Sequence, residues 1–417
     1  MHTLTDQCSV RDEDSVLVCV SGGVDSMVLL ELMLRAAQLM RLRIGAVHVD
    51  HGIRSDESQK DARFVLDRCS ELSIKSYLSE LKMGADIPNL EEEARRRRYE
   101  AIMECKQQGG YAYAATGHTL DDQAETILYR IIRGTGIRGL AGMAYSRSDG
   151  LIRPLLGISR SQVEDFARTE GIGHVDDRTN DDMRLSRNLI RHTILPVMGR
   201  MNPRAVHSIA RLAQIAHEEG SFVEEMARIL EKEACIFDWG IVKAFNAAVL
   251  ENATEAIVKR LIINVATGMI KEPRGIDAIQ VNAILDVLRG SIAAHTLKRK
   301  MRVLRDGAAL VFCTAQEGPY YLVAVPQPGS LHIPEINACV HISFPPGMDR
   351  DLILRSYVRG DRMKAKRVSE ILARMGVMSS LKPFWPVLAS RGGIIAVATR
   401  NKSSLPVQMI LEEGHGQ

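Results

Sequence analysis

The hexapeptide SGGVDS at positions 21–26 combines residues that suit phosphate binding with a carboxylate that suits a cation. It separates two apolar runs, so it is expected to lie between a strand and a helix. Gly22 and Gly23 let backbone N–H groups approach an anion, and the start of a helix adds partial positive charge. Asp25 is placed to meet Mg²⁺ directly or through water. The segment therefore predicts a phosphate-binding loop with a metal ligand at Asp25.

This loop has no lysine of the kind found in G-x-x-x-x-G-K-[ST], where the lysine contacts the β and γ phosphates of a nucleotide. No such run occurs in the chain. A loop without that lysine suits pyrophosphate held as a leaving group, which predicts attack at the α-phosphorus. The alternative is a glycine turn in which Asp25 and Ser26 only cap the next helix.

The SGGxDS pattern after a first strand resembles the signature of the PP-loop ATP pyrophosphatases. Members of that family adenylate a substrate oxygen and release pyrophosphate. The resemblance implies that ATP binds at Ser21, Gly22, Gly23, Val24, Asp25 and Ser26. The loop alone does not identify the substrate that is adenylated.

A second polar cluster lies in the run ATGHTLDDQAET at 115–126. His118, Asp122 and Glu125 are spaced i, i+4 and i+7, which places an imidazole and two carboxylates along one stripe at the beginning of a helix. Two facing carboxylates suit a second Mg²⁺ or an ammonium substrate, and a carboxylate can take a proton from an amine. A solvated polar helix face gives the same spacing. Convergence with the phosphate loop would favour a catalytic role.

The segment HVDHGIR at 48–54 places three polar side chains, His48, Asp50 and His51, at the end of a predicted strand. Two imidazoles and a carboxylate are one combination that binds metal ions. No further cluster of ligands accompanies them, so we interpret His48 and Asp50 as nucleotide contacts at the strand end.

Arginines recur at helical spacing in two further runs. Arg95 and Arg98 lie in NLEEEARRRRYEAI, and Arg187 and Arg191 lie in a helix near the end of HVDDRTNDDMRLSRNLIRHTILPVM. A planar guanidinium binds phosphate through two parallel hydrogen bonds, so these four arginines predict contacts with phosphates of a nucleotide or an RNA. The alternatives are a solvated basic helix face for the first pair and ion pairs with the acidic stretch at 176–182 for the second.

The elements that position these residues alternate between short β-type runs and longer helical runs from Ser15 to about Gly117. This alternation predicts βαβ units, a doubly wound parallel sheet of Rossmann-like type and helices on both faces. Ligands of such sheets bind at the carboxyl ends of the strands. The segments SGGVDS, HVDHGIR and GHTLDD each follow one of the β-type runs, so they are expected to meet in one crevice.

The rest of the chain predicts two further domains, because 417 residues exceed one ordinary core. We divide the chain into a catalytic domain at 1–203, a mainly helical middle domain at 204–316 and a small α+β domain at 317–417. A Pro- and Gly-bearing stretch from EGPYY to VPQPGSLHIPE is interpreted as a linker or an irregular entry to the last domain. That domain has a basic run at 352–377, in which Arg359 and Arg362 predict contacts with an RNA backbone; a solvated basic face is the alternative.

Composition sets weaker limits on function. A formal net charge of +3 permits nucleic-acid binding without requiring it. The seven cysteines are scattered and form no C-x-x-C pair, which favours a reducing, cytoplasmic location. The N-terminal residues lack the apolar core of a signal peptide, and no membrane segment is predicted.

The ordered set of HVDHGIR, EEEARRRRY, GHTLDDQAET, RIIRGTGIRGLAGM, LIRPLLGISR and RNLIRHTILP resembles the tRNA(Ile)-lysidine synthetase branch of the PP-loop family. The resemblance covers roughly residues 15–200 and returns near the C-terminus. Lys382 and Thr399 depart from residues that are frequent in the family at these positions of the C-terminal domain.

This resemblance implies a two-step ligation. ATP, with Mg²⁺, adenylates the C2 oxygen of the wobble cytidine in an isoleucine tRNA with a CAU anticodon, and the amine of L-lysine then displaces AMP to form lysidine. Asp25 would serve Mg²⁺, and Asp122 and Glu125 would bind lysine, with His118 beside them at the reaction site. A homodimer is one oligomeric state that the sequence permits.

Three other functions stay open at this level. A tRNA thiolase has the same loop but uses paired or clustered cysteines, which are missing here. A catalytically silent tRNA-binding protein would have no need of an intact loop and carboxylate stripe. A small-molecule amidating ligase would have no need of a basic C-terminal domain.

Overall fold

The computed structural model describes residues 1–50, 55–81, 90–175, 186–270, 275–298, 301–314, 320–345, 351–399 and 408–413. The chain forms two compact units, Met1–Gly220 and Ser221–Gln417. The boundary between them falls inside a long helix, Ala205–Ala234. The predicted division into three domains at 203 and 316 stays a prediction.

The first unit is an α/β structure in which strands and helices alternate, as predicted. Its elements in chain order are β1 Ser15–Cys19, α1 Val24–Met40, β2 Arg43–Asp50, α2 Ser55–Glu71, β3 Lys75–Glu80, α3 Leu90–Gln108, β4 Tyr113–Ala115, α4 Leu120–Ile132, α5 Ile137–Leu140, β5 Leu151–Ile152, α6 Arg160–Glu170, α7 Ser186–Leu189, a π-helical turn Ile190–Ile194, α8 Leu195–Met201 and α9 Ala205–Ala234. A short π-helical turn, Thr3–Gln7, precedes β1.

Five strands of this unit form one sheet in the order β3-β2-β1-β4-β5, and every pair is parallel. This confirms the predicted parallel sheet. Alternate residues along β1 face opposite sides because side chains of a strand alternate. Val16 and Val18 enter a core that includes residues of α1 and α6, whereas Leu17 enters a core against α3. Helices therefore cover both faces and leave the carboxyl ends of the strands for the loops that carry polar residues.

The second unit contains most of the antiparallel structure. Its elements in chain order are β6 Cys235–Asp238, β7 Val242–Asn246, α10 Ala247–Asn252, α11 Glu255–Ile270, α12 Ala278–Leu288, β8 Ala294–Thr296, β9 Met301–Asp306, β10 Ala309–Thr314, β11 Leu322–Ala324, β12 Gly329–Ile333, β13 Ala338–Ser343, β14 Ile353–Ser356, β15 Arg362–Met363, β16 Lys366–Arg367, α13 Val368–Arg374, β17 Pro386–Ser390, β18 Gly393–Val397 and β19 Gln408–Glu413. Two short 3-10 turns also lie in this unit: Pro334–Ile336 joins β12 to β13, and Lys382–Phe384 lies between α13 and β17.

The middle segment has the expected helices, α10 to α12, and also a five-stranded sheet in the order β6-β7-β10-β9-β8. Parts of that sheet are visible in the sequence as the β-type runs RVL, in β9, and ALVFC, in β10. The stretch interpreted as a linker or irregular entry contains β11 and β12, which pair with β14 and β13. Trp239 of the middle segment packs on Trp385 near the C-terminus, with ring centroids 5.5 Å apart. One apolar core thus includes residues of both segments.

In the described residues, no helix combines the length and the apolar character needed to cross a membrane. All seven cysteines are free thiols.

Candidate functional site

The phosphate loop connects β1 to α1 with a fixed backbone. Gly22 has φ +95°, a conformation that residues with a side chain rarely adopt. Gly23 is the N-cap of α1, and no side chain caps the helix there. The Ser26 hydroxyl accepts a hydrogen bond from the Ser21 N–H at 3.1 Å and lies 2.8 Å from the Gly23 carbonyl oxygen. Neither Asp25 nor Ser26 is the N-cap of α1, because both residues lie within its first turn; the phosphate-binding role of the loop stays a prediction.

The loop that follows β4 approaches the phosphate loop closely at Gly117. A Cβ atom at this position would lie 3.1 Å from the backbone carbon and oxygen of Asp25 and 3.2 Å from the Ser26 nitrogen. Only glycine allows this approach without a shift of backbone. The two predicted segments, SGGVDS and GHTLDD, therefore meet as expected. Sequence reasoning did not single out Gly117, although its position directly after a strand was a usable signal.

His48, near the end of β2, lies at the edge of the sheet where β1 leads into the phosphate loop. Its side chain is buried, and Nδ1 lies 2.8 Å from the carbonyl oxygen of Val20. A carbonyl oxygen only accepts hydrogen bonds, so Nδ1 must carry the proton in this contact. Asp50, the last residue of β2, is half-buried at the same end of the strand. His51, the third member of the predicted cluster, lies outside the described residues.

Asp25 forms an ion pair with Arg160, the first residue of α6. The Arg160 Nη2 donates to Asp25 Oδ2 at 3.0 Å. The other carboxylate oxygen, Oδ1, is buried and has no hydrogen-bond partner in the described part of the chain. Burial raises the pKa of Asp25, and the charge of Arg160 offsets part of that rise. Arg160 was not selected from the sequence; its place in LLGISR gave no spacing to a known partner.

Asp122 and Glu125 lie on one face of α4 and share a guanidinium group. Arg191 donates from Nε to Glu125 Oε1 at 2.5 Å, and from Nη2 to Glu125 Oε2 and Asp122 Oδ1, both at 3.0 Å. Asp122 Oδ2 also accepts from the Thr119 N–H at 2.8 Å, which closes a capping box at the start of α4. The structure thus brings the two predicted carboxylates together around a cation.

The electrostatics of this pair follow from burial. The Glu125 residue is 3 % exposed. Burial raises the pKa of Glu125, and the hydrogen bonds from Arg191 offset part of the rise. Burial opposes the charge of Arg191, but the hydrogen bonds and the charge of Glu125 outweigh it and raise the pKa of Arg191. Arg191 was predicted to contact phosphate; in this structure its guanidinium contacts the two carboxylates.

His118 lies in the loop between β4 and α4. Its Nδ1 is 2.9 Å from the hydroxyl of Thr116, which fixes the orientation of the ring. A cavity of about 240 Å³ lies beside Glu125 and Arg191. Its lining combines charged and apolar side chains: Asp121, Glu125, Arg160, Arg191, Leu195, Pro196 and Val206.

Arg95 and Arg98, which were also predicted to contact phosphate, have different neighbours. The guanidinium carbon of Arg95 is 5.5 Å from the centre of the Tyr99 ring. Burial raises the pKa of Cys19 to about 12 and the charge of Arg98 opposes this rise, which places Arg98 near the carboxyl end of β1. The side chain of Arg187 lies outside the described residues.

In the second unit, Arg359 and Arg362 are exposed. The turn between β14 and β15 that presents Arg359 is held by Arg355, whose guanidinium forms two hydrogen bonds with Asp361, at 2.8 and 2.7 Å. Asp361 is thereby neutralised, which leaves the basic residues of this turn in excess.

In the described part of the chain, no group of three or more His, Cys, Asp or Glu residues is arranged to hold a metal ion. Magnesium in nucleotide sites commonly uses only one or two carboxylates together with phosphate oxygens and water. The buried, unpartnered Oδ1 of Asp25 fits that kind of site.

Comparison with known proteins identifies relatives over the whole length. The PP-loop domain family model matches residues 2–198. The chain is 32% identical to the tRNA(Ile)-lysidine synthase of Solibacter usitatus, over 76% of this chain and 72% of that protein. It is 26% identical to that of Clostridioides difficile, over 95% of this chain and 93% of the relative.

A third relative, the tRNA(Ile)-lysidine synthase of Thermosipho africanus, is 37% identical over 55% of this chain. That match spans 54% of the relative, so the chain covers about half the length of this protein. The PP-loop match implies that the first unit uses ATP. Because the similarity to the Solibacter usitatus protein extends over about three quarters of both chains, this chain belongs to the tRNA(Ile)-lysidine synthase family.

Proposed function

We propose that this protein ligates L-lysine to C2 of the wobble cytidine, position 34, of the isoleucine tRNA with a CAU anticodon. The reaction consumes ATP, passes through an adenylated tRNA and releases pyrophosphate and AMP. Its product is lysidine, which changes the codon that the tRNA reads from AUG to AUA. The observation that carries the proposal is the contact of Gly117 with the phosphate loop, which brings Asp25 to the same site as Asp122 and Glu125.

In the first step the C2 oxygen of cytidine attacks the α-phosphorus of ATP, and the bond to pyrophosphate breaks. The uncapped N-terminus of α1 and the backbone around Gly22 and Gly23 would hold the phosphates. His48 and Asp50 would contact the nucleotide from the end of β2. Mg²⁺ bound at Asp25 would neutralise charge on the leaving pyrophosphate. Arg160 lies next to Asp25, and its positive charge would attract the same phosphates.

In the second step a lysine amine attacks C2, its bond to carbon forms, and the C2–O bond to AMP breaks. Asp122 and Glu125 would bind an ammonium group of lysine, because in this structure they already bind the cationic guanidinium of Arg191. The cavity beside them has apolar walls at Leu195 and Val206, which suit the methylene stem of lysine. His118 or a carboxylate would accept the proton that the amine loses.

The RNA would be held by basic residues outside this cluster. We assign that role to Arg95, Arg98 and Arg187 in the first unit and to Arg359 and Arg362 in the second. The division into a catalytic domain at 1–203, a middle domain at 204–316 and a tRNA-contacting domain at 317–417 is part of the proposal. A tRNA substrate and seven cysteines that form no disulfide bond support a cytoplasmic location; the homodimer stays a prediction.

The proposal is tested by incubating the protein with ATP, radiolabelled lysine and CAU-anticodon tRNA transcripts, followed by nuclease digestion and chromatography. We expect label on the nucleoside at position 34 and one AMP for each lysine incorporated. Asp25→Asn should incorporate none, whereas Asp165→Asn, an exposed carboxylate of α6, should match the wild type. Release of ADP and orthophosphate in place of AMP, or a tRNA without label, would refute the proposal.

A further inference from the structure

The four consecutive arginines of α3 have different environments. Arg96 donates to Glu93 and to Glu100, and Arg97 donates to Glu93, so these two charges are compensated within the helix. Arg95 has no carboxylate partner among the described residues. Its guanidinium carbon instead lies 5.5 Å from the centre of the Tyr99 ring.

Two more arginines contact the same tyrosine. Arg147, from the segment before β5, has its guanidinium carbon 5.6 Å from the centre of the Tyr99 ring. Arg153, directly after β5, is 4 % exposed and lies close enough to the Tyr99 side chain to interact with it electrostatically. Arg153 also donates to the Ala144 carbonyl oxygen at 2.7 Å, while its buried Nε has no partner in the described part of the chain.

The charge around Tyr99 is unbalanced. Asp149 pairs with Arg147 at 2.6 Å, and no carboxylate of the described residues pairs with Arg95 or Arg153. Three guanidinium groups therefore share one carboxylate. Burial lowers the pKa of Arg153, which reflects the cost of a buried charge without an anion. An arginine cluster of this kind is stabilised by an anion, and guanidinium groups match phosphate best.

The location of this cluster separates it from the phosphate loop. Arg153 follows β5, and β5 is two strands from β1 in the sheet. Neighbouring strands are about 4.8 Å apart, so the two strand ends are roughly 10 Å apart. Arg147 is exposed and Arg95 is partly exposed, so an anion from solution can reach them.

We propose that Arg95 and Arg147, supported by the buried Arg153, form a binding site for a backbone phosphate of the RNA substrate. This inference rests on the proposed function, because it assumes that an RNA enters the site. Arg153 is a positioning residue: it lies beside Tyr99 and adds a buried positive charge to the site, while Arg95 and Arg147 contact the phosphate.

The test compares Arg95→Gln and Arg147→Gln with Arg96→Gln, which removes an equal charge from α3 at a position where carboxylates compensate it. Fluorescence anisotropy measures the Kd for labelled CAU-anticodon tRNA over a series of salt concentrations, and calorimetry measures ATP binding without RNA. Arg95→Gln and Arg147→Gln should each raise the tRNA Kd about fivefold. Each should also lower the slope of log Kd against log salt by about 1.

Two further variants are expected to leave the tRNA Kd unchanged or to lower it. Arg96→Gln should leave Kd and slope unchanged, and Asp149→Asn should lower the Kd about twofold because it removes the carboxylate that competes for Arg147. If Arg95→Gln and Arg147→Gln behave like Arg96→Gln, the phosphate site is wrong. If they weaken ATP binding and leave tRNA binding unchanged, the phosphate belongs to the nucleotide and the RNA assignment is wrong. A wild-type protein that binds no tRNA would instead refute the proposed function.

Discussion

The ion pair between Glu125 and Arg191 should have a larger coupling energy than an ion pair on the protein surface. We consider Arg191→Gln, Glu125→Gln and the double variant as a thermodynamic cycle. Arg191 makes three hydrogen bonds, two to Glu125 and one to Asp122. The Glu125 side chain is 4% exposed and the Arg191 side chain 20%.

The loss of free energy of unfolding in each variant follows from the burial of this ion pair. Removing one partner of a fully buried pair costs about 3–5 kcal/mol, because the other charge stays buried and unpaired. Arg191 is partly exposed, so water can replace some of the lost contacts, and about 2–3 kcal/mol is expected for Arg191→Gln. Glu125→Gln leaves Arg191 paired with Asp122 and should cost about 1–2 kcal/mol. The double variant should cost no more than Arg191→Gln alone, which gives a coupling energy of about 1–2 kcal/mol.

Hydrogen exchange measured by mass spectrometry suits a protein of two units, since it reports local opening rather than global unfolding. The informative peptides cover α4 and the segment 190–201, which pack together through Ala124, Ile127 and Ile190. A loss of 2–3 kcal/mol accelerates exchange there by about 30- to 150-fold. Arg168→Gln, which breaks an exposed pair with Asp165 at 3.2 Å, serves as the control and should change exchange less than about threefold.

Additivity would refute this reasoning. If the cost of the double variant equals the sum of the two single costs within about 0.4 kcal/mol, Glu125 and Arg191 do not stabilise each other. A uniform acceleration of exchange across the first unit would show that Arg191 acts through global stability rather than through this contact.

Three other predictions concern the same site. Glu125→Gln should raise the KM for lysine at least about tenfold more than the KM for ATP, the loss expected for a charge-assisted contact; equal changes in steady-state kinetics would contradict the lysine-binding role. Burial raises the pKa of Asp25 above 3.8, so this carboxyl contributes stability below that pH which is lost as the pH rises through its folded-state pKa. Asp25→Asn should therefore raise the Tm at pH 7 while abolishing AMP formation, and the gain should shrink toward pH 4; a Tm difference that does not change with pH would disprove the burial argument. Gly22→Ala, at φ +95°, should lower the stability by at least about 1 kcal/mol and weaken ATP binding, whereas Gly199→Ala, with open space around it, should do neither in urea and calorimetric titrations.

The parallel sheet was predictable because its signals are local. The strands β1 to β4 lie in short β-type runs, and the helices between them lie in longer helical runs, so the alternation predicted the order of these elements. The antiparallel sheet of the middle segment was mostly missed. Its strands β6 and β7 are short and follow a 30-residue helix, and β7 pairs with β10, more than sixty residues later along the chain.

Some residues of the candidate site could be identified from the sequence, and others only from the structure. SGGVDS and the spacing of Asp122 and Glu125 are properties of contiguous sequence, because a turn and a helix face are set by neighbours in the chain. Arg160, Gly117 and Arg191 acquire their meaning only from contacts across the fold. Arg160 lies 135 positions from Asp25, and Arg191 lies 66 positions from Glu125.

The sequence by itself therefore determined the family, the parallel sheet and the residue types that could bind a nucleotide and an amine. Only the tertiary structure decided which charges neutralise one another: Arg191 faces carboxylates, Arg96 is compensated on its own helix, and Arg95 meets two other arginines at Tyr99. The physical reason is that Coulomb energy depends on distance and burial, which residue type and spacing along the chain do not specify for groups on different elements.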